Sequence, residues 1–350
     1  MKIQAFSWRP WVALANLVGL LCSTPVQAQE SVAPWISGLP GLEHPAAWSL
    51  EPASVTAGAQ TESRWAHHGE PLTSFWFGAQ WRPELKGKGG RSSGRNNWSF
   101  GAKTSLEDQA SGWKHGHHTL HGALAIPLNR QWQGAAGIGL GVSHWVLDGR
   151  PWSWDAQYGP GGYNAMAPTG EPESLVVGGS VQPEVSVSLA AERRVQMRSS
   201  QPHYKGAVTL RHLIRNPSPH FLIQHADTTS RHVAWWMEGS SDLGLEDLRW
   251  RAWHRGAWQG SAKIMEWGAA LSKTFGTASR FTREEMSHDI EWGVLVRTDG
   301  LIRLPLLWKH AGLACWIAPG FSLQSASAAS SPWAASVLWS PSGQSVTRVR

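Results

Sequence analysis

Apolar and polar side chains alternate along most of the chain with a period of two. Ala136, Ile138, Leu140 and Val142 fall on one side of a strand, and Gly137, Gly139, Gly141 and Ser143 on the other. Val185, Val187 and Leu189 alternate in the same way with Ser186, Ser188 and Ala190. The pattern recurs at Phe75, Phe77, Ala79 and Trp81, at Trp98, Phe100, Ala102 and Thr104, and at Trp292, Val294 and Val296. Successive strand side chains point to opposite faces, so each run presents one apolar face and one of mostly small or polar groups. The runs last about 8–12 residues, near the ~9–11 that a tilted strand needs to cross a bilayer.

Turn-forming segments separate the runs. Residues 86–97 are polar and Gly-rich, 216–219 read Asn-Pro-Ser-Pro, and Asp299-Gly300 is a hairpin signal. Helical periodicity is confined to weak stretches at 243–250 and 287–292, and residues 239–255 are irregular enough to predict a short helix or a long loop. The expected fold is all-β: an antiparallel transmembrane β-barrel of roughly 12–14 strands with a closed or plugged lumen.

The N-terminal residues place this barrel outside the cytoplasm. Lys2 and Arg9 lead into an apolar run at 12–21, and Val26-Gln27-Ala28 supplies compact residues where a signal peptidase cuts. That order predicts a secretory signal over residues 1–28, cleaved after Ala28. The apolar run is about half the ~20 residues of a membrane-spanning helix. Residues 29–52 are then expected to form a periplasmic or plug segment, and 53–350 the barrel. With Cys22 removed, Cys315 is the one thiol of the mature chain and no internal disulfide forms.

Composition sharpens the membrane reading. Charged residues make up 16% of the chain, against ~25% in ordinary soluble domains. The 24 tryptophans include Trp76, Trp81, Trp98, Trp113, Trp132, Trp145, Trp152 and Trp154, mostly near strand ends, as expected of aromatic girdles at membrane interfaces. The runs above carry few charges on their small-residue faces, which predicts a narrow lumen. The net charge of +6 comes from scattered Lys and Arg, so no nucleic-acid surface is expected.

Candidate chemistry is sparse. In a strand, His115, His117 and His121 share one face and His118 takes the other. Three imidazoles on one face suit zinc or copper, but the nearest carboxylates upstream are Glu107 and Asp108, and a polar strand entry without metal is the expectation. No Gly-x-Ser-x-Gly elbow occurs in a strand–turn–helix setting. The glycines at 134–141 lie in an alternating strand and do not open a helix, as a phosphate-binding loop would. Residues 154–171 combine aromatics, turn formers and isolated carboxylates; a loop of this length favours a role in contact or plugging.

In several places, in order, the chain resembles the PorP/SprF family of the type IX secretion system. The matching positions are His44-Pro45-Ala46-Ala47, Arg64-Trp65, the Gly-rich strand from Gly137 to Ser143, Asp155-Ala156-Gln157-Tyr158 through Gly170-Glu171, and Arg231-His232. The resemblance implies an outer-membrane barrel with no enzymatic activity and no cofactor. Its partners would be periplasmic ring proteins, peptidoglycan-linked secretion proteins, secreted proteins with a C-terminal sorting domain, and outer-membrane lipids. Export or surface attachment of adhesins, including those used in gliding, would be its work. The alternatives are a porin or small hydrophobic-solute transporter, and an exported soluble Trp-rich glycan-binding β protein.

Overall fold

The computed structural model describes residues 43–51, 55–64, 72–83, 97–109, 112–148, 155–159, 162–164, 166–168, 177–193, 202–214, 230–243, 247–260, 262–278, 285–298, 300–310, 313–322 and 333–339. A single turn of helix, α1 (Pro45–Trp48), precedes β1 (Val55–Arg64), β2 (Leu72–Trp81), β3 (Asn97–Gln109), β4 (Trp113–Pro127) and β5 (Trp132–Asp148). A miniature hairpin follows, β6 (Tyr158–Gly159) and β7 (Gly162–Tyr163). Then come β8 (Val177–Arg193), β9 (His203–Arg211), β10 (His232–Asp242), β11 (Leu248–Gln259), β12 (Ala262–Ala278) and β13 (Glu285–Arg297). The chain closes with β14 (Leu301–Arg303), β15 (Leu306–His310), β16 (Leu313–Ser322) and β17 (Trp333–Trp339).

Apart from β6 and β7, every strand joins one antiparallel sheet. β1 pairs with both β2 and β17, and β12 with both β11 and β13, so the sheet has no free edge. β14 and β15 share one place between β13 and β16, which makes a closed barrel of 14 strands. Pro305, which has no N–H to give to the ladder, sits at their junction. Its carbonyl still accepts from Gly293 N at 3.0 Å, and Leu304 N donates to Pro319 O at 3.0 Å, so the wall stays sealed there. Closure matters because an unpaired backbone group in hydrocarbon costs several kcal/mol.

Alternation assigns the faces. Phe75, Phe77, Phe100, Ile138, Leu140, Val142, Leu189, Val208, Val294 and Val337 point outward and are exposed. An apolar belt of this extent does not persist in water, so the barrel's outer wall is built for lipid, and the soluble reading fails. Trp81, Trp98, Trp132, Trp308 and Trp339 lie at or near strand ends on the side where β1 starts and β17 finishes, called here the near end. Trp258 and Trp333 stand outward at the far end. Three expected girdle residues instead face the lumen. Trp76 is buried inside, while Trp113 and Trp145 line the far mouth beside His115. Trp152 and Trp154 lie outside the described residues.

Of residues 239–255, expected as helix or loop, the described ones instead include the end of β10 (to Asp242) and the start of β11 (from Leu248), 244–246 lie outside the described residues, and 287–292 belong to β13. Several strands also outrun the expected lengths: β5, β8 and β12 have 17 residues each.

Candidate functional site in the lumen

The lumen is occupied by the chain itself. Pro45 opens α1 at a position where its missing N–H costs nothing, and Ser49 Oγ donates to Ala46 O at 2.7 Å to close the turn. Pro45, Ala46, Ala47 and Trp48 are all buried, against β4, β5, β8 and β9. Ala46 N donates to Ser188 Oγ at 2.9 Å, and His44 Nδ1 lies 2.9 Å from Thr209 Oγ1. Burial, with Lys103 and Arg255 nearby, lowers the His44 pKa from 6.5 to about 3, so its imidazole is neutral at neutral pH. The Trp48 indole rests 5.5 Å from the His121 ring, and Glu51 reaches to 3.7 Å from Lys205 Nζ.

The glycines of β5 make this packing feasible. A Cβ on Gly137 would sit 2.9 Å from Ser188 Oγ, 3.1 Å from Ala123 Cβ and 3.3 Å from Ala46 N. The Gly-rich strand is therefore the floor on which α1 lies.

The far end of the lumen holds the histidine face. His115, His117 and His121 are buried inward and His118 is exposed on the outer wall, as strand parity requires. His115 stacks on Trp145 at 3.5 Å between centroids and meets His117 edge-on. His117 Nδ1 donates to Glu184 Oε2 at 2.7 Å, and Arg211 Nε donates to Glu184 Oε1 at 2.7 Å. Glu107 pairs with His115 across β3 and β4, its Oε2 3.8 Å from Nδ1. Carboxylates absent from the cluster in sequence thus reach it through neighbouring strands. Among the described residues, no three His, Cys, Asp or Glu side chains gather to hold a metal ion.

Charge fills much of the remaining lumen, contrary to the expectation of an inner wall poor in charge. Among the described residues six glutamates and five arginines are buried. Arg255 grips Glu266 through two bonds of 2.7 Å. Arg251 bridges Glu291 and Glu238, Lys205 adds a contact to Glu238 at 3.7 Å, and Glu62 meets Arg303 and Arg297. Some acids and bases pair between adjacent strands, as Arg255 with Glu266, and others span further, as Glu62 on β1 with Arg303 on β14 and Arg297 on β13, so the paired charges fill the interior.

Of the positions marked by family resemblance, His44–Ala47 and the Gly137–Ser143 strand meet in this interior and His232 is buried, while the others do not join them. Arg64 ends β1, and Trp65, Gly170, Glu171 and Ala28 lie outside the described residues. Asp155 and Gln157 belong to one 3-10 turn, and Tyr158 begins β6 and is exposed. Gln157 is buried within its own loop, donating Nε2 to Ala167 O at 3.1 Å and accepting from Asn164 N at 2.9 Å. Met166 in the same loop is 92% exposed. The described residues of this far-end segment bond to one another, and the element lying in the lumen is α1. A four-residue helix leaves too short a signal for periodicity to find; of the inward glycines of β5, Gly137 is the one that lies against it.

A closed 14-strand barrel with an apolar outer wall is the architecture of an outer-membrane β-barrel protein. No family model and no curated protein matches the chain. Among solved structures, it is similar to BamA from Haemophilus ducreyi lacking POTRA domains 1–3, at 10% identity over 97% of this chain and 80% of that one, with a TM-score of 0.40. It is also similar to the TodX monoaromatic hydrocarbon channel deltaS2 mutant, at 9% identity over 85% and 91%, with a TM-score of 0.41. CdiB from Escherichia coli follows at 10% identity over 97% and 72%, with a TM-score of 0.38. Scores this low carry nothing about activity.

Proposed function

We propose that the protein is a structural component of the type IX secretion system in the outer membrane, working through its two ends and not through its lumen. The near end, where the barrel's chain begins and finishes, anchors periplasmic ring and peptidoglycan-linked partners. The far end, which carries the described segments 155–159, 162–164 and 166–168, engages secreted proteins that carry a C-terminal sorting domain and supports their export or surface attachment. The role is mechanical and involves no enzymatic step. The observation that carries this reading is the lumen, closed by residues 43–51 and by paired charges. The ordered resemblance to PorP/SprF names the partners.

Crosslinking in intact cells, followed by recovery of the barrel from outer membranes, tests it. Ring and peptidoglycan-linked proteins are expected in the recovered complex, and deletion of the gene should strand sorting-domain proteins in the periplasm. An unchanged secretome and surface proteome after deletion would refute the proposal.

A further inference from the structure

The outer wall carries two pairs of stacked imidazoles, one toward each end of the barrel. His118 on β4 and His144 on β5 have their ring centres 5.2 Å apart on the far side. His288 on β13 and His310 on β15 are direct register partners on the near side, 4.1 Å apart. The two pairs have different surroundings. Thr104 Oγ1 hydrogen-bonds with His118 Nδ1, and Lys114, the lysine beside that pair, is held by Asp108 at 3.4 Å. The lysine beside the near pair, Lys273, is held by no acid among the described residues. Its Nζ lies 5.2 Å from the centre of the Phe275 ring, so the side chain runs along β12 to the row of Phe275, His288 and His310.

That row stands at the level of lipid headgroups. It continues through Leu313 to Trp339, one of the near-end tryptophans. On the same face and toward the middle of the wall, Trp292, Val294 and Leu306 are exposed to hydrocarbon. Trp308 stacks on both imidazoles, at 6.4 Å from His288 and 5.9 Å from His310. His310 Nδ1 is buried, so this ring offers Nε2 outward, and neither nitrogen of His288 bonds to a described residue. Asp289 and Lys309, the neighbours in sequence, project to the opposite face, where Asp289 accepts from Thr274 Oγ1 at 2.7 Å.

We propose that Lys273, His288 and His310 bind the phosphate of an anionic phospholipid headgroup. The ammonium of Lys273 and a ring N–H of each histidine donate to the phosphate oxygens, and the acyl chains lie along the apolar wall beside them. A soluble anion would gain the charge and nothing from the wall. A zwitterionic lipid would bring its own ammonium against Lys273. The far pair, whose lysine is already neutralised, lacks this pull. The site uses the outer wall alone and does not rest on the secretion role.

Native mass spectrometry of the intact barrel, given equal amounts of phosphatidylglycerol and phosphatidylcholine in detergent, tests it. The barrel should retain phosphatidylglycerol over phosphatidylcholine by about fivefold. The triple substitution Lys273→Met, His288→Phe and His310→Phe keeps the rings stacked and should bring the two lipids level. His118→Phe with His144→Phe should leave the preference intact. Heat-modifiable gel mobility verifies that both variants are folded. Equal retention of the two lipids by the wild-type barrel overturns the proposal without recourse to any variant. So does a preference that survives the triple substitution, one that the far-side substitutions remove, or one that inorganic phosphate at the lipid's concentration abolishes.

Discussion

On β5 and β8 the lumen-facing positions include Gly137, Gly139, Gly141, Ser186, Ser188 and Ala190; on β9 to β13 they include Lys205, Glu238, Arg251, Arg255, Glu266 and Glu291. The two walls enclose one lumen by opposite means. Where side chains are small, the wall leaves space that α1 enters. Where they are long and charged, they cross the lumen and pair with one another. Gly137 is small where α1 lies on the wall, and alternating Arg and Glu on neighbouring strands let the opposite wall fill its own interior.

The largest effect should come from breaking a pair in the charged wall. Glu266→Ala strips Arg255 of both its 2.7 Å bonds and leaves a buried cation, costing about 3 kcal/mol in urea unfolding from vesicles. The double replacement Arg255→Met and Glu266→Leu should recover most of that loss, because the wall then needs no partner. Equal losses in the single and double variants would show that the pair is not the unit.

In the small-residue wall, Gly137→Leu should expel the plug and leave the barrel folded. Ala47→Cys reports on this by its reaction with a membrane-impermeant maleimide, and labelling should accelerate tenfold for each ~1.4 kcal/mol of docking lost. Cys315 faces the outer wall, away from the reagent's route through the lumen. If the labelling rate is unchanged, the glycine stripe is not what seats the plug.

His44 gives the comparison a pH dependence. Its pKa falls from 6.5 when free to about 3 when docked. Above pH 6.5 it is neutral in both states and docking is unaffected. As pH falls from 6.5 toward 3, the free segment takes up a proton that the docked one refuses, and docking weakens by ~1.4 kcal/mol per pH unit. Maleimide labelling of Ala47→Cys, divided at each pH by the rate of the same thiol in the Gly137→Leu background to remove the falling thiolate fraction, should therefore rise between pH 6.5 and pH 5, and His44→Gln should flatten the rise. The smallest effect is expected from Arg249→Ala at the near-end turn, where an exposed pair with Asp242 at 3.0 Å is worth under ~1 kcal/mol.

Much of this architecture was legible in the sequence, for a specific reason. Period-two alternation sorts residues between two faces without knowledge of their neighbours, so Ile138 and Leu140 share the lipid face and His115, His117 and His121 share a face opposite His118, as read. Pairing between strands left no such mark. Arg255 and Glu266 are 11 residues apart and meet only through the β11–β12 register. On β11 itself, inward Arg251, Trp253 and Arg255 interleave with outward Trp250, Ala252 and His254, so tryptophan stands on both faces and the contrast vanishes. That blurring is why the hairpin looked like helix or loop. Residues 29–52 were expected as a periplasmic or plug segment, and the seat of α1 depends on Ser188 and Thr209, far away in the chain.

The most direct test of the central claim, that the chain closes its own lumen, is ion conductance in planar bilayers. The wild-type barrel should pass no steady current. Deletion of residues 43–51 should produce discrete open-channel steps whose size falls when Lys205 or Arg251 is replaced by a bulkier tryptophan. Steady wild-type conductance equal to that of the deletion variant would contradict the account.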